Sequence, residues 1–200
     1  EAEVEGALKT LIAQQPLGRV LDVGTGTGRM IEIFAGQAER FVAVDNSVEM
    51  LRLARAKLAS LPNAAFVQAH TDIVRGDFNT LPFEDRSFDT ILFHQVLHYA
   101  QAPDYVIAEA ARLLAPGGRL VIVDFASHDF EELRSVHAHA RLGFADDMMQ
   151  RAFSASGLAL ASVETLEGGQ LAVKIWSATR PLASGQGSNY SDSPKLRIAS

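Results

Sequence analysis

A chain of 200 residues, 48% hydrophobic and 21% charged, has the profile of one globular domain with apolar material for a core of ordinary size. Its net charge of −6, with 18 Lys and Arg spread without a run, argues against direct nucleic-acid binding. The lack of cysteine excludes disulfides, zinc fingers and thiolate catalysis, and no apolar run approaches the roughly 18 residues of a membrane span.

The start, Glu1-Ala2-Glu3-Val4-Glu5, is acidic where a signal peptide is basic. With no initiator Met, the expectation is a cytoplasmic piece of something longer. Residues 3–15 read as a leading helix with Val4, Ala7, Leu8, Leu11 and Ile12 on one face, stopped by Pro16 and Gly18. Val20-Leu21-Asp22-Val23 reads as a buried strand running into Gly24-Thr25-Gly26-Thr27-Gly28, which opens a helix carrying Met30, Ile31, Ile33 and Phe34. A second strand, Phe41-Val42-Ala43-Val44, ends on Asp45, and Asn46 with Glu49 forms a capping box for the next helix. Leu51, Ala54 and Leu58 give that helix its core stripe.

Strand three is expected over residues 72–75, leading into Gly76-Asp77, with 65–68 as the competing choice. Strand four covers Thr90 to His94 and strand five residues 119–124. Asp129 with Glu132 reads as a capping box opening a helix that Gly143 ends. A further helix over 146–156 stops at Gly157. Two last strands, 159–166 and 171–178, are joined by Gly168-Gly169, a connection so short that it permits only an antiparallel hairpin. The sum is an α/β fold, a Rossmann-like three-layer sandwich with a seven-stranded, mostly parallel sheet and an antiparallel terminal hairpin. It fills residues 1–180, with 181–200 as a polar tail.

The glycine turn is the chemical signal. Glycines let a backbone approach a ligand closely, and an acid at the tip of the next strand can take both hydroxyls of a ribose. A dinucleotide fingerprint is G-x-G-x-x-G, yet Arg29 stands where its third glycine would be, and Asp22 precedes the turn where a pyrophosphate gains nothing from negative charge. An acid there suits a ligand with a cationic end.

The pattern Asp-x-Gly-x-Gly-x-Gly with Asp45 resembles the class I S-adenosylmethionine-dependent methyltransferases, of the type 11-like group. The resemblance extends through Gly76-Asp77-Phe78, Leu81-Pro82-Phe83 and Ser87-Phe88-Asp89 to Glu109, Arg112 and Pro116-Gly117-Gly118-Arg119. It implies that Asp22, Gly24, Thr25 and Gly26, with Gly28 closing the turn, hold the methionine portion of S-adenosylmethionine. It further implies Asp45 on the ribose and Asn46 and Met50 near adenine, Met50 being equally readable as core. Asp77 and the Phe78 N–H would meet the adenine edge, and His94 the methionine end. S-adenosylhomocysteine would be the product.

On the acceptor side no catalytic residue is fixed. His94, His98, His137 and Arg141 are candidates expected to converge above the methyl, although His98 could cap its own loop and His137, sharing a face with Phe130, Leu133 and Ala140, could be core. His139 is expected in solvent. His137 and His139 diverge by about 200° on a helix, so no metal site is expected. The absent thiolates count against an arsenite acceptor, and a small molecule is expected.

The run from Val123-Asp124-Phe125 to Arg141-Leu142-Gly143-Phe144 resembles methyltransferase domains fused behind an arsenic-repressor-type winged helix. That resemblance implies an upstream winged-helix domain or a homodimer, and, as the alternative to catalysis, an S-adenosylmethionine-sensing module.

Overall fold

The computed structural model describes residues 2–136, 139–167 and 169–182, with the side chains of residues 135 and 136 excepted. Seven strands form one sheet in the order β3-β2-β1-β4-β5-β7-β6. They are β1 (Arg19–Val23), β2 (Arg40–Asp45), β3 (Thr71–Arg75), β4 (Phe88–His94), β5 (Leu114–Phe125), β6 (Ala159–Leu166) and β7 (Val173–Thr179). The first five pair in parallel, while β7 runs antiparallel to both β5 and β6. This is the Rossmann-like sheet with its end hairpin that the alternation of strand and helix patterns implies.

The helices are α1 (Ala2–Ile12), α2 (Arg29–Phe34), α3 (Val48–Ala59), α4 (Ala64–Ala69), α5 (Pro103–Leu113), α6 (Glu132–Val136) and α7 (Asp146–Ala155). Strand side chains alternate between two cores, as the period of two requires. Leu21, Val23, Ile91, Phe93, Leu120 and Ile122 pack with α5 and α7, while Val20, Leu92, Val121 and Val123 pack with α1, α2 and α3.

Several elements differ from the sequence expectation. The leading helix ends at Ile12, three residues short of the expected end. Residues 65–68 are helical within α4, which accounts for the chain before β3. Helix α3 is capped by Ser47, whose hydroxyl accepts from the Met50 N–H at 3.3 Å, so the cap lies one residue after Asn46. Strand five begins at Leu114, with a register shift against β4 between Phe88 and Thr90.

The helix expected from Asp129 to Gly143 is reduced to α6. Backbone donors and acceptors that would continue it are spent on long-range partners. Ser127 N donates to Phe144 O, His128 N to Leu142 O, Phe144 N to Phe125 O and Arg141 N to His98 O, at 3.0–3.1 Å. The segment is thereby stitched to the end of β5 and to the loop after β4.

Candidate functional site

A cavity of about 650 Å³ lies at the carboxyl ends of β1, β2 and β4. The sheet order reverses between β1 and β4, and such a switch point is where open α/β sheets hold their ligands.

One wall is the glycine turn. Gly24 N and Thr25 N both donate to Val44 O, at 2.8 and 2.9 Å, which folds the turn over the end of β2. Gly24 has φ +75°, and a Cβ there would collide with Val96 of the facing loop. Around Gly26 the space where a Cβ would stand is open. Gly28 does not line the cavity; a Cβ on it would crowd Ala54 of α3 at 3.2 Å, so this glycine serves helix packing.

Asp45 joins the two halves of this wall. Its Oδ2 accepts from Gly26 N and its Oδ1 from Ser47 N, both at 2.9 Å. Each carboxylate oxygen has a further lone pair to offer. Asn46, Ser47, Met50, Gly76 and Phe78 continue the wall. Asp77 does not: it is exposed, and its Oδ1 accepts from the backbone N–H and side-chain amide of Asn79 at 2.8 and 2.6 Å. Its carboxylate closes an Asx turn beside the cavity.

Asp22 is the electrostatic centre. It is 1% exposed, and neither carboxylate oxygen has a hydrogen-bond partner; the nearby Thr25 hydroxyl is also buried without one. Burial pushes the Asp22 carboxyl up to about 7; Thr25 opposes the shift and the negative charge of Asp45 adds to it. An orphaned buried carboxylate is a standing cost that an incoming cation removes. These two carboxylates therefore fit a ligand with a cationic end.

The opposite wall is the loop after β4, with His94, Gln95, Val96 and Tyr99. Gln95 has φ +52°, held by donation from its N–H to Val123 O at 2.7 Å. Of the four acceptor-side candidates, only His94 is on the cavity. His98 is 3% exposed and turned into the fold, where its Nδ1 donates to Oδ1 of the fully buried Asp124 at 2.7 Å. Among the described residues His94, His98 and Arg141 do not meet in one pocket. Arg141 donates through Nη2 to Gln101 O at 2.8 Å on the outer side of the loop, and His137 lies outside the described residues. His139, expected in solvent, is buried with its ring 4.0 Å from that of His98. Among the described residues, no group of three or more His, Cys, Asp or Glu is arranged to hold a metal ion.

Sequence reasoning missed Ser47, Gln95, Tyr99 and Arg29 on the cavity. Only Ser47 had a local signal, as a hydroxyl three residues ahead of the first turn's Met50 N–H.

Fold and cavity together define a Rossmann-like α/β domain with a ligand-sized cleft at its switch point and a buried carboxylate behind the glycine turn. A family profile described as a methyltransferase domain matches residues 21–122, half of the chain, and the chain belongs to that family. It is similar to a demethylmenaquinone methyltransferase of Renibacterium salmoninarum, 34% identical over 122 residues, which cover 61% of this chain and 47% of that protein. The chain thus spans less than half the length of this curated relative.

Among solved structures it resembles an S-adenosylmethionine-dependent methyltransferase of Mesorhizobium loti, with a TM-score of 0.71, 18% identity and coverage of 88% of this chain and 96% of the other. It also resembles magnesium protoporphyrin IX methyltransferase of Synechocystis with S-adenosylhomocysteine bound, with a TM-score of 0.70, 18% identity and 89% and 82% coverage. The domain is a methyltransferase domain, on the fold of these S-adenosylmethionine-dependent enzymes. No helix among the described residues is long and apolar enough to cross a membrane.

Proposed function

We propose that this domain transfers a methyl group from S-adenosylmethionine to a small-molecule acceptor that enters over the loop after β4. The observation that carries the reading is Asp22, a buried carboxylate lacking a partner beside a glycine turn with open space at Gly26. In this reading Asp22 takes the ammonium of the methionine portion, with Thr25 and the backbone of Gly24 and Gly26 beside it. Asp45 takes the ribose hydroxyls with its remaining lone pairs. Asn46, Met50 and the Phe78 N–H bound the adenine, and Asp77 is left to its turn.

S-Adenosylmethionine supplies a methyl already activated by a sulfonium, so alignment accounts for much of the catalysis. His94, at the end of β4, is the cavity imidazole available to take a proton from an acceptor that must lose one. Quinone-ring acceptors are the first class to test, because the matched curated relative acts on demethylmenaquinone. The cytoplasmic setting, and an attached winged-helix domain or second copy, belong to the same proposal and rest on sequence pattern alone. A purely sensing role is not favoured, since the family and the named relatives are methyltransferases.

Calorimetry with S-adenosylmethionine, S-adenosylhomocysteine and NAD tests the cofactor half. Transfer of labelled methyl into a metabolite extract, and into a reduced demethylated naphthoquinone, tests the reaction. Binding of NAD alone would overturn the reading, as would cofactor binding with no labelled product in either acceptor set.

A further inference from the structure

Arg29 occupies the position where the turn lacks its last dinucleotide-type glycine, and it lines the cavity. Its guanidinium is held from outside the turn. Nε and Nη2 donate side by side to Oε1 and Oε2 of Glu5, both at 2.6 Å, and Nη1 donates to Glu32 Oε2 at 2.5 Å. Glu5 belongs to α1, ahead of the segment that matches the family profile. It is 6% exposed, on a helix whose other buried residues are Val4, Leu8 and Ile12.

A helix gains nothing by burying a carboxylate unless a partner makes up for lost water, and here the partner is a bidentate arginine. Arg29 holds the Glu5 carboxyl below its usual range, with smaller contributions from Lys9 and from His94 across the cavity rim. Through this fork the N-terminal helix is tied to a residue that lines the cavity.

A guanidinium carries five N–H donors. Three are engaged, which leaves one on Nη1 and one on Nη2. Arg29 is also the only Lys or Arg among the residues that line the cavity. Asp45 lines the cavity and Asp22 is buried behind the turn, while Arg29 is the one permanent cation among the described lining residues, the natural partner for the negative end of a zwitterionic ligand.

We propose that Arg29, oriented by Glu5 of the N-terminal helix, binds the α-carboxylate of the cofactor's methionine portion, which makes α1 part of the cofactor site. The inference rests on the methyltransferase reading above and adds to it the residue that recognises one end of the cofactor. Asp22 and Arg29 then read the two charges of the aminoacyl group separately. Glu5 acts as a positioning residue, since it reaches the cofactor only through the guanidinium.

The test compares S-adenosylmethionine with its decarboxylated form, which keeps the sulfonium and the ammonium and lacks only the carboxylate. Calorimetry needs no acceptor and no turnover. Arg29→Gln is expected to weaken S-adenosylmethionine by at least about tenfold, the worth of a charge-assisted hydrogen bond, while the decarboxylated ligand changes by less than about twofold. Glu5→Gln retains the helix and the side-chain length and should weaken S-adenosylmethionine alone by about threefold or more, by loosening the fork. Equal losses for both ligands would reduce the pair to a structural tie and overturn the proposal, and so would an unchanged S-adenosylmethionine affinity. Unaltered binding of the decarboxylated ligand certifies that each variant is folded. Wild-type protein that binds neither ligand would refute the methyltransferase reading itself, and this proposal with it.

Discussion

Replacing Asp22 by asparagine should stabilise the protein without cofactor at high pH and cripple cofactor binding. The carboxyl titrates at 3.8 when unfolded and at about 7 when buried in the fold. Below pH 3.8 it is protonated in both states and contributes nothing. Between 3.8 and 7 the unfolded chain ionises while the folded one keeps its proton, so stability falls steadily as pH rises. Above 7 the whole penalty is present, and the interval from 3.8 to about 7 corresponds to about 4 kcal/mol. About 3 kcal/mol of that accrues between pH 5 and pH 8. Asp22→Asn removes the titration but leaves a buried amide, whose own cost does not vary with pH. The decisive quantity is therefore the stability difference between variant and wild type, read from urea unfolding at pH 5 and at pH 8 without cofactor. It should shift in the variant's favour by about 3 kcal/mol across that range. Wild-type affinity for S-adenosylmethionine should fall about tenfold per pH unit below 7, because binding must first expel a proton, and the variant's weak affinity should be flat. A stability difference that is the same at both pH values would refute the buried, cation-seeking carboxylate.

Asp45→Ala should weaken S-adenosylmethionine by more than about tenfold, through lost hydrogen bonds to a charged acceptor, and cost about 1–3 kcal/mol of stability by orphaning the Gly26 and Ser47 N–H groups; calorimetry and urea unfolding separate the two. Gly26→Val places a branched side chain in the open space beside the turn at φ +53° and should abolish cofactor binding for a strain of about 1–2 kcal/mol, so a soluble variant with normal affinity would remove this turn from the site. His98→Leu strips the partner from a fully buried carboxylate and should cost about 3–5 kcal/mol in denaturant unfolding. Arg141→Ala, which removes an exposed bond to Gln101 O, should leave S-adenosylhomocysteine affinity unchanged within about twofold; a larger loss would put Arg141 back in the site.

What was legible in the sequence was what local chain geometry decides. The glycine turn, Asp22 before it and Asp45 at the next strand tip lie within one βαβ unit, where spacing alone brings the groups together. Misplacements came where distant backbone competes with a local pattern. Helical periodicity reads on through His137 and Arg141, yet Arg141 N donates to His98 O in the loop after β4 and Phe144 N to Phe125 O of β5. That long-range stitching also buries His139 on His98. The Ser47 cap was missed by one residue because Asn46 and Ser47 are both good caps and only backbone angles choose between them. The Glu5–Arg29 fork joins residues 24 apart whose meeting depends on how α1 docks, and nothing in either local sequence announces it.

The same distinction governs how firmly the two walls of the cavity are held. The glycine-turn wall is tied by its own neighbours, through Gly24 and Thr25 on Val44 O and through the Asp45 carboxylate on Gly26 and Ser47. The facing wall takes its shape from β5. Gln95 is fixed by Val123 O, and Asp124 receives the backbone N–H groups of His98 and Phe125 as well as the His98 ring. Two successive β5 residues thus set a loop that belongs to β4. Tyr99, 45% exposed, lies immediately beyond that anchor, and its ring packs 4.2 Å from that of His98. The backbone of this wall is accordingly tethered to β5 on both sides of Val96. Tyr99 packs on the anchor itself and Gln95 holds a left-handed backbone, so a change at either position reaches the hydrogen bonds that shape this wall.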